Sequence, residues 1–292
     1  MTLAGSRVNS WARGKRVCLF GFRSPAASSI TGSARAEGGF PMCLIALNIG
    51  QHPDYPLILA ANRDEFHARP TQAAHWWPDK PDILGGRDLQ AGGAWLALHR
   101  NGRFATVTNF RDAARSSPML LSRGHLVTGF LESRMEPRDY LETIRGSAYA
   151  GFNLIVGTIN EVAYLSNREE GTRALAPGTY GLSNALLDGP WHKVERSKAE
   201  LASLVTRREI DESRLLRMMD DRGKAPVAEV ETGHLDFEKA HAITAPFIVT
   251  PDYGTRCTTI VLADKNGNWR FTERRFDPTG RQAGESKFSF GP

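Results

Sequence analysis

A methionine followed directly by a cysteine, Met42-Cys43, carries the most reactive chemistry in this sequence. Removal of a methionine that precedes a small residue is ordinary processing, and here it leaves a thiol and a free α-amine on one residue. An α-amine titrates at about 7.7–8.0, well below a lysine. It can therefore take the proton of its own nucleophile, and no separate histidine base is required. Further along, Asn62-Arg63-Asp64-Glu65 closes an apolar run. A carboxylate there can hold an α-ammonium, and an arginine can favour a thiolate. The plainer alternatives are a small core cysteine in a strand and a solvated charged loop. Against the loop stands its position at the end of one strand pattern, beside the pattern that carries Cys43.

These residues need elements to position them. Cys43 to Asn48 and Leu57 to Asn62 are short apolar runs of strand type, and Gln51-His52-Pro53-Asp54-Tyr55-Pro56 between them is turn chemistry, so a hairpin opens the body. Arg63 to Gln90 reads as loop, with Pro70, Pro78, Pro81 and Gly85-Gly86. Ala94 to His99 and Phe104 to Thr108 form a second hairpin across Arg100-Asn101-Gly102. Apolar spacing then predicts helices over 120–131 and from Pro137 to Ile144. Strands return at Phe152 to Thr158, Val162 to Ser166 and Tyr180 to Asn184, helices at 192–206 and 211–220, and a closing hairpin at Thr255 to Ala263 and Trp269 to Phe276. Hairpins rather than βαβ units connect the strands, so the class is an antiparallel α+β layer protein. The glycine pairs at 85–86 and 92–93 read as tight turns with pocket lining as a second use, and Trp76, Trp77 and Trp95 as core residues that can also line an apolar pocket.

Composition narrows the partners. The chain of 292 residues carries 37 basic and 32 acidic residues. Residues 1–41 hold six of those basic residues against the single acid Glu37, and without them the two signs balance at 31 each. The body therefore offers no basic surface for nucleic acid, and no apolar run approaches the roughly 20 residues of a membrane helix. Three cysteines make no disulfide framework, which fits a reducing, cytoplasmic setting, and the eight histidines are scattered with no metal-ligand spacing. No metal or other cofactor is expected, and nothing speaks to oligomeric state. Residues 1–41 lack periodicity and are read as a leader outside the fold: translation upstream of a true start at Met42 first, then a transit peptide or a disordered arm. The remainder, 42–292, shows no internal boundary and is read as one domain.

Met42-Cys43-Leu44-Ile45 followed by Ala60-Ala61-Asn62-Arg63-Asp64-Glu65-Phe66 resembles the NRDE family, named for that tetrapeptide, which includes the animal transport and Golgi organization protein 2. Gly85-Gly86-Arg87-Asp88, Gly92-Gly93-Ala94-Trp95-Leu96, Thr108-Asn109-Phe110-Arg111, Ser122-Arg123-Gly124, Gly151-Phe152-Asn153-Leu154, Gly181-Leu182-Ser183-Asn184 and Tyr253-Gly254-Thr255-Arg256 follow in family order. The family is similar in layout to the N-terminal-nucleophile hydrolases of the penicillin acylase and bile-salt hydrolase kind. That resemblance implies a four-layer αββα sandwich of antiparallel sheets. It implies Cys43 as nucleophile, Asn184 and Asn109 as oxyanion donors and Arg256 as an active-site arginine on a late strand. Arg63 with Asp64 or Glu65 stands in for an arginine and aspartate that those hydrolases carry three apart. Alternation puts Asp64 on the strand face of Asn62 and favours it as the acid; Asn62, Glu65 and Trp95 are assigned to substrate. The implied activity is hydrolysis of a small acyl amide through a thioester. The alternative is a non-catalytic carrier of an apolar ligand, lipid, acyl or haem, with a link to secretory and Golgi organisation in animals.

Overall fold

The structure, a computed structural model, describes residues 42–111, 120–233 and 235–291. The expected leader, 1–41, lies outside the described residues. Two sheets account for all the named strands. The first runs in the spatial order β10 (Gly178–Leu182), β1 (Cys43–Ile49), β2 (Leu57–Phe66), β11 (Tyr253–Ala263), β12 (Trp269–Phe276) and β13 (Gln282–Phe290). The second runs β3 (Thr71–Trp77), β4 (Lys80–Asp88), β5 (Leu96–His99), β6 (Phe104–Asn109), β7 (Phe152–Gly157), β8 (Val162–Ser166) and β9 (Thr172–Ala174). Every pairing of named strands is antiparallel.

Alternation along β1 explains the layering. Ile45, Leu47 and Ile49 join Leu84, Leu96, Leu98 and Ile155 of the other sheet in one buried core, so the two sheets face each other. Leu44 and Ala46 point the other way, onto α3 (His192–Arg207) and α4 (Glu212–Met219), through Val194, Leu201, Leu215 and Met219. The outer face of the second sheet is covered in the same way by α1 (Gly124–Glu132) and α2 (Pro137–Glu142), through Leu126, Phe130 and Leu141. The result is the expected αββα sandwich. A strand buried on both faces reads as a continuous apolar run, which is why β1 and β2 show no polar alternation in their first halves.

One expectation is corrected. The stretch 63–90 is not loop: β2 continues through the charged tetrapeptide to Phe66, and β3 and β4 follow. The prolines sit where strands tolerate them. Pro70 precedes β3, Pro78 lies in the turn, and Pro81 falls in the register irregularity between the Trp76–Leu84 and Trp77–Lys80 pairs. Gly85 is no turn either. It lies in β4, where a Cβ would stand 2.8 Å from the Leu96 carbonyl oxygen, so only glycine lets β5 pair there. The final strand β13, the short β9 and the helix α5 (Phe237–Ala242) complete the fold beyond the elements the sequence pattern predicts.

Candidate functional site

Cys43 is the first residue of β1, paired opposite Arg63 on β2, which in turn pairs with Cys257 on β11. The three side chains share the face turned toward the second sheet. There Cys43 and Arg63 border a cleft of about 350 Å³ between the sheet ends, lined also by Glu65, Arg69, Trp95, Val107, Asn109 and Leu121. Pairing with β2 fixes the backbone of Cys43 on one side, and on the other its carbonyl accepts from the Ser183 hydroxyl at 2.7 Å, just before β10 takes up the pairing at Ile45.

The cleft is charged and nearly dry at its base. Arg63 is 5% exposed; its Nη2 stands 3.6 Å from Glu65 Oε2, and its Nη1 is buried without a hydrogen-bond partner. Arg69 approaches the same Glu65 oxygen at 3.6 Å and pairs with Asp88 at 2.6 Å. With Met42 attached, burial pushes the Cys43 thiol up to about 12, and the neighbouring Asp64 adds to the rise while Arg63 opposes it. A thiol in that state is a poor nucleophile.

Asp64 faces the helices. Its Oδ1 accepts from Thr255 Oγ1 at 2.7 Å, whereas Oδ2 is buried with no hydrogen-bond partner. Burial raises the carboxyl to about 7, with Lys193 the chief opposing influence. The Asp64 amide donates to the Met42 carbonyl at 2.9 Å. The Asp64 backbone thus holds the Met42 end of the peptide bond to Cys43, while its carboxyl faces the helices with Oδ2 3.9 Å from Lys193 Nζ. Met42 is itself buried, its amide donating to Tyr253 Oη at 2.6 Å.

The remaining expected residues divide. Trp95 and Glu65 line the cleft, as does Asn109 at the end of β6. Asn184 stands next to it, with its Nδ2 donating to the Asn109 carbonyl at 2.7 Å and its Oδ1 accepting from Ser183. Arg256 sits at a register irregularity in β11 and donates to the carbonyls of Phe66, His67 and Arg69. It thus secures the segment that carries Arg69 and is not among the cleft-lining residues. Asn62 is turned from the cleft: its Nδ2 donates to the Met219 and Pro246 carbonyls and its Oδ1 accepts from Thr258. Trp77 is buried against α1 and donates to the Gly85 carbonyl, leaving Trp95 as the one of the three tryptophans in the cleft lining. Lys193, Tyr253 and Thr255 are the additions that structure brings to Asp64 and Met42. Lys193 had a sequence signal: with Ser197 and Leu201 it lies on the buried stripe of α3, an odd place for a lysine.

Among the described residues no group of three or more His, Cys, Asp or Glu is placed to hold a metal ion, and no helix is long and apolar enough to cross a membrane. A family model described as Transport and Golgi organisation 2 matches residues 42–278. The transport and Golgi organization protein 2 homolog of Bos taurus is 36% identical over 264 residues, covering 82% of this chain and 95% of that protein. The Homo sapiens homolog is 36% identical over 259 residues (80% and 92%), and transport and Golgi organization protein 2 of Drosophila melanogaster is 28% identical over 268 residues (82% and 95%). Among solved structures, an N-acylethanolamine-hydrolyzing acid amidase ortholog of Caenorhabditis elegans superposes with a TM-score of 0.44 at 13% identity, over 76% of this chain and 92% of that one. A mutant conjugated bile acid hydrolase from Clostridium perfringens does so with a TM-score of 0.40 at 8% identity, over 85% and 92%.

Proposed function

The chain belongs to the Transport and Golgi organisation 2 family, and on that premise we propose that it is a cytoplasmic amidohydrolase whose nucleophile is an N-terminal Cys43. The observation that carries this reading is a buried Asp64 oxygen with no hydrogen-bond donor, on the residue whose amide holds the Met42 carbonyl. A buried acceptor without a donor costs about 1–3 kcal/mol, and an N–H of the neutral amine freed by release of Met42 can serve it. The freed amine takes the thiol proton, and the thiolate beside Arg63 attacks the acyl carbon. The C–S bond forms as the C–N bond breaks, the amine's proton leaves with the product amine, and water then cleaves the thioester. Asn109 and Asn184 are assigned to the oxyanion, which requires Asn184 to exchange its bond to the Asn109 carbonyl for one to substrate. The cleft, with Trp95, Val107 and Leu121, suits a small acyl group.

The test is an intact mass and N-terminal sequence of the expressed chain, followed by a panel of acyl amides. A chain beginning at Cys43, a transient acyl adduct on that residue and loss of turnover in Cys43→Ala are expected. Retention of Met42 in the purified protein would falsify the hydrolase reading. One observation favours a second reading, a carrier of an apolar ligand: while Met42 remains, Cys43 is only 7% exposed and its thiol stands at about 12. Under that reading Cys43→Ser retains ligand binding and no amide is turned over.

A further inference from the structure

One charged side chain near Cys43 has no part in the scheme above. Lys193, the second residue of α3, is 1% exposed, and its Nζ has no hydrogen-bond partner. It stands 3.9 Å from Asp64 Oδ2, which also has none. On the helix side of the sheet, Lys193 and Met42 line the same cavity, of about 320 Å³. Loss of Met42 therefore opens the Cys43 nitrogen onto a space lined by Lys193, whose ammonium is the one beside Asp64.

Charged and titratable groups reach that space from each of the elements packed against it. β1 contributes the Cys43 thiol, β2 contributes Arg63 and Glu65 beside Asp64, and β11 contributes Tyr253, buried and raised well above its usual range. Arg111 follows β6, His192 precedes Lys193 on α3, and Glu229 and Glu231 lie on the cavity wall. Burial lowers Lys193, and Asp64 first and the Cys43 thiol second resist that fall. Once processed, the site would hold two ammonium groups against one buried carboxylate. Carrying both cations there is costly, so one proton leaves. In water an α-amine binds its proton roughly several hundredfold more weakly than a lysine does; burial narrows that margin, but Lys193 has Asp64 at 3.9 Å to hold its proton, and the α-amine is the one to lose it.

We propose that Lys193 is a positioning residue that keeps the Cys43 α-amine neutral: its ammonium pairs with Asp64, and the amine is left with the lone pair that receives the thiol proton. This rests on Cys43 being the mature N-terminus and explains how that amine becomes a base at neutral pH, using like charge as other enzymes do to activate an amine.

The test needs no turnover. The full chain is labelled with [15N]cysteine, its N-terminus established by intact mass, and the α-nitrogen resonance of Cys43 followed from acid to alkaline pH. The wild-type midpoint is expected below the ordinary α-amine range of about 7.7–8.0. In Lys193→Met it rises by about one unit or more, a tenfold or larger fall in the ratio of neutral to protonated amine at pH 7. Lys193→Arg follows the wild type, and Lys193→Gln replaces Lys193→Met should the latter not fold. Where a substrate is in hand, the acid limb of kcat/KM moves in step with the resonance, which a merely structural lysine would not cause. An unchanged midpoint in Lys193→Met, or an arginine variant that behaves like methionine, overturns the proposal while leaving the hydrolase reading in place. A normal titration series with no amide hydrolysed does the reverse. A chain that keeps Met42 sinks both.

Discussion

Asn62 separates a structural from a catalytic role for the tetrapeptide that opens with it. It is fully buried, and three groups depend on its amide: the Met219 carbonyl at 2.8 Å, the Pro246 carbonyl at 2.9 Å and the Thr258 hydroxyl at 2.6 Å. Met219 ends α4 and Pro246 precedes β11, so one side chain ties a helix end and a connecting segment to β2. In Asn62→Ala all three partners lose their bond in a place water reaches poorly. At about 1–1.5 kcal/mol each, the low end of the cost of an unsatisfied buried group, the loss is about 3–5 kcal/mol. That is a large part of the roughly 5–15 kcal/mol that holds a domain together. With a urea slope of roughly 2–3 kcal/mol per molar, the unfolding midpoint falls by about 1–2 M. Equilibrium urea unfolding of wild type, Asn62→Ala, Thr258→Val and the double variant measures it, and the double variant should be less destabilised than the sum of the singles. A shift under about 1 kcal/mol together with lost ligand binding or turnover would return Asn62 to the binding site and refute its structural assignment.

Further outcomes follow from the buried charges and close contacts. In the chain that retains Met42, Asp64 is raised from 3.8 to about 7, so the folded state holds its proton more tightly than the unfolded one. That contribution is full below about 3.8 and is lost as pH climbs to about 7, roughly 4 kcal/mol in all. Unfolding at several pH values should show this decline in wild type and its absence in Asp64→Asn; parallel curves count against it. The same chain should alkylate at Cys43 with iodoacetamide roughly a thousandfold more slowly than a free cysteine at pH 8, because its thiol stands at about 12; ordinary labelling rates by mass spectrometry would contradict that. Gly93→Ala sets a Cβ 2.6 Å from the Gly124 backbone carbon, so α1 must shift against the cleft. A fall in thermal midpoint of several degrees is expected, and an unchanged midpoint shows the contact to be slack.

The layering and the nucleophile's strand were legible because periodicity reports burial, and β1 and β2 keep their faces without interruption. The strands β3 and β4 were not, since proline and glycine are read locally as turn residues, whereas here Gly85 answers to the strand paired beside it, through the Leu96 carbonyl of β5. The same limit applies within the site. Residue type and strand alternation placed Cys43 and Asp64 at the head of adjacent strands, yet alternation alone assigns Asn62 and Asp64 to one face without saying what that face meets. It meets α3, α4 and Lys193, more than a hundred residues along the chain. Arg256 has an arginine's usual suitability for anions, but its three carbonyl partners belong to one bend of the chain that no spacing rule describes.

The burial of Met42 has a consequence in time. In the finished fold that residue is 3% exposed, its amide held by Tyr253 and its carbonyl by the Asp64 amide. Tyr253 opens β11, which joins the sheet only after some two hundred residues have followed Met42. On the proposed processing, a peptidase that frees Cys43 works on an incomplete molecule, in the interval before the last strands close over the cut. Whatever slows synthesis or docking of β11 to β13 lengthens that interval and raises the fraction of chains with a free amine, while rapid closure seals the methionine in. The ratio of the two forms in a cell is then set by relative rates and not by the affinity of any site for its substrate.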